Sequence, residues 1–84
     1  MMLSQKGGEN MDRAKVGRRI RALREDRGQS MAHVARKLGF PYNSYYSYEY
    51  GLRLPSKTNQ AKIADYFGCD VEDIFFEEGN HTER

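Results

Sequence analysis

The sequence predicts a small all-α domain, and three observations carry that reading. Apolar residues recur at helical spacings of three and four through the middle of the chain. Four of these stretches stop at a glycine, Gly28, Gly39, Gly51 or Gly68, as helices do. No segment alternates apolar and polar residues in the manner of a half-buried strand, and nothing repeats.

The elements follow in order. Residues 1–11 lack periodicity and contain a glycine pair, so a flexible N-terminal arm is expected. From Asp12, a side chain suited to capping, Val16, Ile20 and Leu23 form one stripe of a helix reaching about Arg27. Ser30 opens a second, short helix with Met31, Val34, Ala35 and Leu38 inward. A third begins at Pro41, whose missing N–H costs nothing in a first turn, and runs to about Tyr50. Ser56 opens a fourth, with Ala61, Ile63, Ala64 and Phe67 as its apolar positions. Asp70 opens a fifth, with Val71, Ile74 and Phe75 inward and Asp73 placed to bond back to the cap. The expected organisation is an arm over 1–11, a five-helix domain over 12–77 and a polar tail over 78–84.

Composition narrows the function classes. Mean hydropathy is −0.90 and 31% of the 84 residues are charged, which suits one soluble globular domain with polar ends. No apolar run approaches a membrane span, and the N-terminus has no apolar signal region. One cysteine, Cys69, excludes an internal disulfide, so a cytoplasmic protein is expected, with Cys69 as a small core filler. No glycine-rich phosphate loop, nucleophile–base pair or metal-ligand spacing is present, so neither an enzyme nor a cofactor is expected. His33 and His81 lack ligand partners at useful spacing and read as surface residues.

Charge is distributed unevenly. Residues 1–57 hold 12 Lys+Arg against 5 Asp+Glu, a balance of +7, and residues 58–84 hold 2 against 7, a balance of −5. A basic front points to an anionic partner engaged by one side. On the basic first helix, Arg18 and Arg19 are the candidates for gripping phosphate, together with Arg53 farther along.

Five of the six tyrosines lie in the segment PYNSYYSYEYG, residues 41–51. On a helix, Tyr45 and Tyr48 share one face with Pro41 and Leu52, whereas Tyr42, Asn43, Tyr46, Ser47 and Tyr50 cover the remainder. Two tyrosines are therefore expected in the core and three outside. An outward face of Tyr, Asn and Ser suits base edges and phosphates, and its rings suit thymine methyls.

Residues 16–75, VGRRIRALREDRGQSMAHVARKLGFPYNSYYSYEYGLRLPSKTNQAKIADYFGCDVEDIF, resemble the DNA-binding domain of the phage-repressor and Cro-like helix-turn-helix regulators, the Xre family. The resemblance implies a lambda-repressor-like fold in which the second and third helices form the helix-turn-helix and the third reads the major groove of double-stranded DNA. Carried over by position, it implies base contacts from Tyr42, Asn43, Tyr46 and Ser47. It implies phosphate contacts from Ser30, Arg53 and Lys57, and a charged pair between Arg24 and Glu49. Departures from the pattern are Met31, where relatives often carry Gln, and Pro41, where Ser or Thr is usual. Tyr42 replaces a frequent Arg. Tyr45 replaces Ile or Val, so its hydroxyl needs a partner or must reach the surface.

The expected function is transcription regulation by a homodimer on a two-fold operator, with binding itself blocking or recruiting polymerase. Phe76 and Glu77, where an outward Phe meets the acidic end, are the expected dimer interface. The alternative from another class is a module that uses this fold to hold a protein partner, such as an antitoxin or an antirepressor target.

Overall fold

The structure, a computed structural model, describes residues 12–76. Five helices follow one another: α1 (Arg13–Asp26), α2 (Met31–Leu38), α3 (Tyr42–Glu49), α4 (Lys57–Phe67) and α5 (Val71–Phe75). No strand occurs among the described residues. The expected arm, the polar tail, His81 and Glu77 all lie outside them.

The starts follow capping chemistry. The Asp12 carboxylate accepts from the amides of Ala14 and Lys15 at 3.0 and 3.3 Å. Ser30 Oγ accepts from the His33 amide at 3.0 Å, and Ser56 Oγ from the Asn59 amide at 3.1 Å. These bonds satisfy backbone donors that have no partner inside a first turn. At α5, the Asp70 amide donates to Asp73 Oδ2 at 3.1 Å, the return half of a capping box. Pro41 sits one position earlier than expected, as the N-cap of α3 with extended backbone (ψ 144°), and offers no side-chain cap.

The corner of the helix-turn-helix is made at Gly39. Its φ of +76° is the left-handed region that a Cβ disfavours. The Phe40 amide can then reach back to the Ala35 carbonyl at 2.9 Å, which closes α2 and redirects the chain into α3. Gly51 makes the corresponding exit from α3, with the Leu52 amide on the Ser47 carbonyl at 2.9 Å.

The core is one cluster drawn from every helix, including Val16, Ile20, Val34, Tyr45, Ile63 and Phe75. Helix α3 packs on α1 and α2, and α5 closes the far side against α1 and α4. Two expectations about single positions need correction. Ala61 is exposed, and Gln60 is the buried neighbour, its Nε2 donating to the Pro55 carbonyl at 3.1 Å. Leu52 is 61% exposed rather than continuing the Tyr45–Tyr48 face, because α3 has ended and Gly51 has turned the chain.

Candidate nucleic-acid interface

Helix α3 is seated by its inner face. Tyr45 is fully buried, and its hydroxyl donates to Glu49 Oε2 one turn later at 2.6 Å. Arg24 of α1 meets the same carboxylate in a fork, Nε to Oε2 at 2.6 Å and Nη2 to Oε1 at 3.0 Å. Its remaining nitrogen donates to the Gln29 carbonyl at 2.8 Å. A bidentate pair with its remaining donor satisfied is the geometry in which a buried ion pair offsets its desolvation. Burial and the bond to Glu49 push the Tyr45 hydroxyl well above the ordinary tyrosine range. The hydrogen bond to Glu49 likewise raises Arg24, which is charged in any case.

The seat depends on Gly17, which the stripe analysis passes over. A Cβ at that position would lie 2.2 Å from the Glu49 carbonyl oxygen and 2.9 Å from that of Tyr48. Helix α1 therefore touches the end of α3 backbone to backbone. A glycine inside a helical pattern, otherwise unfavourable by about 1 kcal/mol, was the available signal. Tyr48, the other buried tyrosine, packs edge-on against Phe40 with ring centres 6.0 Å apart, and its hydroxyl accepts from Asn59 Nδ2 at 3.1 Å.

The outer face divides into two edges. Along one run Tyr42, Tyr46 and Tyr50, exposed by 45%, 38% and 46%. Tyr46 and Tyr50 are stacked with centres 4.4 Å apart, Tyr42 is tilted against Tyr46 at 6.2 Å, and the Arg21 guanidinium lies 5.4 Å from the Tyr50 centre. The other edge is polar. The Asn43 side chain is exposed and makes no hydrogen bond among the described residues. Arg53 folds back along α3, Nε to Ser47 Oγ at 3.1 Å and Nη2 to Ser44 Oγ at 3.0 Å, with its guanidinium 5.8 Å from the Tyr48 ring centre.

Several expected contacts sit differently from their sequence reading. Ser47 is half-buried, and its hydroxyl already donates to the Ser44 carbonyl at 2.7 Å while accepting from Arg53. The hydroxyl is thereby engaged within the domain. Arg19 is tied to the end of α5, with Nη1 donating to the carbonyls of Ile74 and Phe76 at 3.1 and 3.0 Å. Arg18 and Lys57 are exposed. Ser30 is exposed too, its oxygen serving as the α2 cap. His33 and Phe76 are half-buried. Gln29 and Ser44 were not singled out from sequence. Gln29 accepts from Tyr66 as well as from Arg24, and neither position carries a periodic or charge signal.

Among the described residues there is no group of His, Cys, Asp and Glu fit to hold a metal, and no helix long and apolar enough to cross a membrane.

Residues 15–74 match the model of the helix-turn-helix domain family. The chain belongs to that family. This helix-turn-helix domain is similar to the restriction-modification controller protein C.AhdI from Aeromonas hydrophila, at 30% identity over 76% of this chain and 97% of that one, with a TM-score of 0.70. It is similar to the DNA-binding domain of BldD from S. venezulae, at 27% identity over 76% and 96% of the two chains, TM-score 0.66. A hypothetical transcription factor, NHTF, from Neisseria shares the fold at 19% identity over 95% and 92%, TM-score 0.73. No curated protein gives a significant sequence match. The family and these neighbours make the domain a helix-turn-helix transcription regulator of the phage-repressor and Cro-like type.

Proposed function

We propose that this regulator binds DNA sequence-specifically by laying α3 in the major groove. The observation carrying this reading is the two-sidedness of α3. Its inner face is clamped by Arg24 and Asn59, whereas its outer face offers Tyr42, Asn43 and Tyr46. A groove-reading helix needs both properties, because a rigid seat fixes register and outward groups meet base edges.

Asn43 is the side chain suited to pair with N6 and N7 of adenine, and its place near the start of α3 is where such helices meet the bases. Phosphate contacts fall to Arg18, Ser30, Lys57 and Arg53. The two serines that hold Arg53 leave its Nη1 for a phosphate oxygen. Arg19 does not join this set, since its guanidinium is engaged by α5. The neighbours support the reading by their names, one a restriction-modification controller and another a DNA-binding domain. One such helix reads only a few base pairs, so a homodimer on a two-fold operator in the cytoplasm completes the proposal. The acidic end beginning at Phe76 and Glu77 is its candidate interface.

Selection from a pool of random duplexes tests the reading. Enrichment of a symmetric motif is expected, with affinity falling steeply as salt rises. No enriched sequence would favour the other use of the fold, holding a protein partner.

A further inference from the structure

The tyrosine ladder has more apolar surface than hydrogen bonding to bases requires. Tyr42, Tyr46 and Tyr50 occupy successive turns, and at 1.5 Å per residue the row runs about 12 Å along the helix. Each ring brings one polar atom on an otherwise apolar body. The rings are not equivalent. Tyr50 is held between its stack on Tyr46 and the Arg21 guanidinium, and Tyr46 has one face committed to Tyr50. Tyr42 meets its neighbour only obliquely, at an interplanar angle of 43°, and remains 45% exposed. It is also the first residue of α3, at the end that approaches the bases.

The apolar feature of the major groove is the C5-methyl group of a pyrimidine, standard in thymine and added in 5-methylcytosine. Resting on the DNA-binding reading above, we infer that the Tyr42–Tyr46 edge is a reader of pyrimidine C5-methyl groups. Tyr42 makes the contact, Tyr46 backs it, and Tyr50 with Arg21 anchors the row at its far end. The ring contacts and Arg21 restrain the ladder within the domain itself, which lowers the side-chain ordering that the contact requires. Binding then distinguishes thymine from uracil, and methylated from unmethylated cytosine, at the base pair beneath Tyr42.

The test starts from the preferred duplex found by selection. Each thymine is replaced in turn by deoxyuridine, and each cytosine by 5-methylcytosine, leaving base pairing intact. At a position beneath Tyr42, deoxyuridine should weaken binding, or 5-methylcytosine strengthen it, by about fourfold, the effect of burying one methyl group. The thymine arm and the cytosine arm say which base supplies the methyl. Tyr42→Phe, which keeps the ring, should retain the ratio, and Tyr42→Ala should bring it to one, with thermal melts showing both variants folded. The inference is overturned if every substituted duplex binds like its parent, or if the ratio survives Tyr42→Ala or is lost in Tyr42→Phe. If selection yields no preferred duplex, the DNA-reading proposal fails and this inference fails with it. A preferred duplex indifferent to methyl groups overturns this inference alone.

Discussion

The Tyr45 hydroxyl donates to Glu49 Oε2 at 2.6 Å, and the same oxygen accepts from Arg24 Nε at 2.6 Å. A tyrosine thus occupies a core position because a buried carboxylate one turn away accepts the hydrogen bond of its hydroxyl. Glu49 in turn is tolerated in the core because Arg24 and Tyr45 between them occupy its oxygens. The three side chains fix the end of α3 to α1.

Glu49→Ala should therefore leave the Arg24 charge and the Tyr45 hydroxyl buried and uncompensated. The expected loss is about 3–5 kcal/mol, a large share of what a domain this size has. Denaturant unfolding measures it directly. A midpoint equal to wild type would mean that the trio contributes nothing.

Alkaline stability follows from Tyr45. Burial and the Glu49 bond hold its proton in the folded state past the ordinary tyrosine value of 10.0, where the unfolded chain releases it. Unfolding therefore releases a proton above about pH 10, and stability contributed by Tyr45 declines as pH rises through that range. Tyr45→Phe should be less stable at neutral pH by about 1.5–3 kcal/mol, the worth of a hydrogen bond to a charged group, yet fall less steeply above pH 10. Parallel stability curves for the two proteins would contradict the assignment.

Gly17→Ala tests the contact between α1 and α3. Within a free helix the change is favourable by about 1 kcal/mol. Here the added Cβ would meet the Glu49 carbonyl oxygen at 2.2 Å, and backbone cannot swing aside as a flexible side chain can. The expected sign is reversed, a loss of about 1–3 kcal/mol. A melting temperature at or above that of wild type would show that the helices can separate freely.

The helices were legible because their signals are local. Asp12, Ser30 and Ser56 cap where their hydrogen-bonding chemistry suggests, and Gly39 and Gly51 turn the chain where only a left-handed residue fits. The division of the tyrosines was legible as well, since Tyr45 and Tyr48 share the helical periodicity of the core. What escaped depends on distance in space. Gly17 matters through Tyr48 and Glu49, more than thirty residues later, and the glycine itself is the one local sign of that approach. Arg19 and Arg18 look alike in a basic run, yet only Arg19 has carbonyls of α5 within reach. The bond between Ser47 and Arg53 escaped as well, because a helical projection omits Arg53 folding back from the following loop.

Assembly offers a separate check. A homodimer is expected from the limited reach of one recognition helix. Sedimentation should give a dimer at high concentration or on the selected duplex. A monomer in both states would remove the two-fold operator from the account.

The most direct test of the central claim, that α3 reads sequence, compares Asn43→Ala with Arg53→Ala. Each is titrated against the selected duplex and a random duplex across a range of salt concentrations. Asn43→Ala should lose about 1–3 kcal/mol on the selected duplex, much less on the random one, and relax preference at one base pair. Arg53→Ala should weaken both duplexes alike and lower the salt slope by about one unit. If Asn43→Ala loses the same factor on both duplexes, α3 is not the reading element.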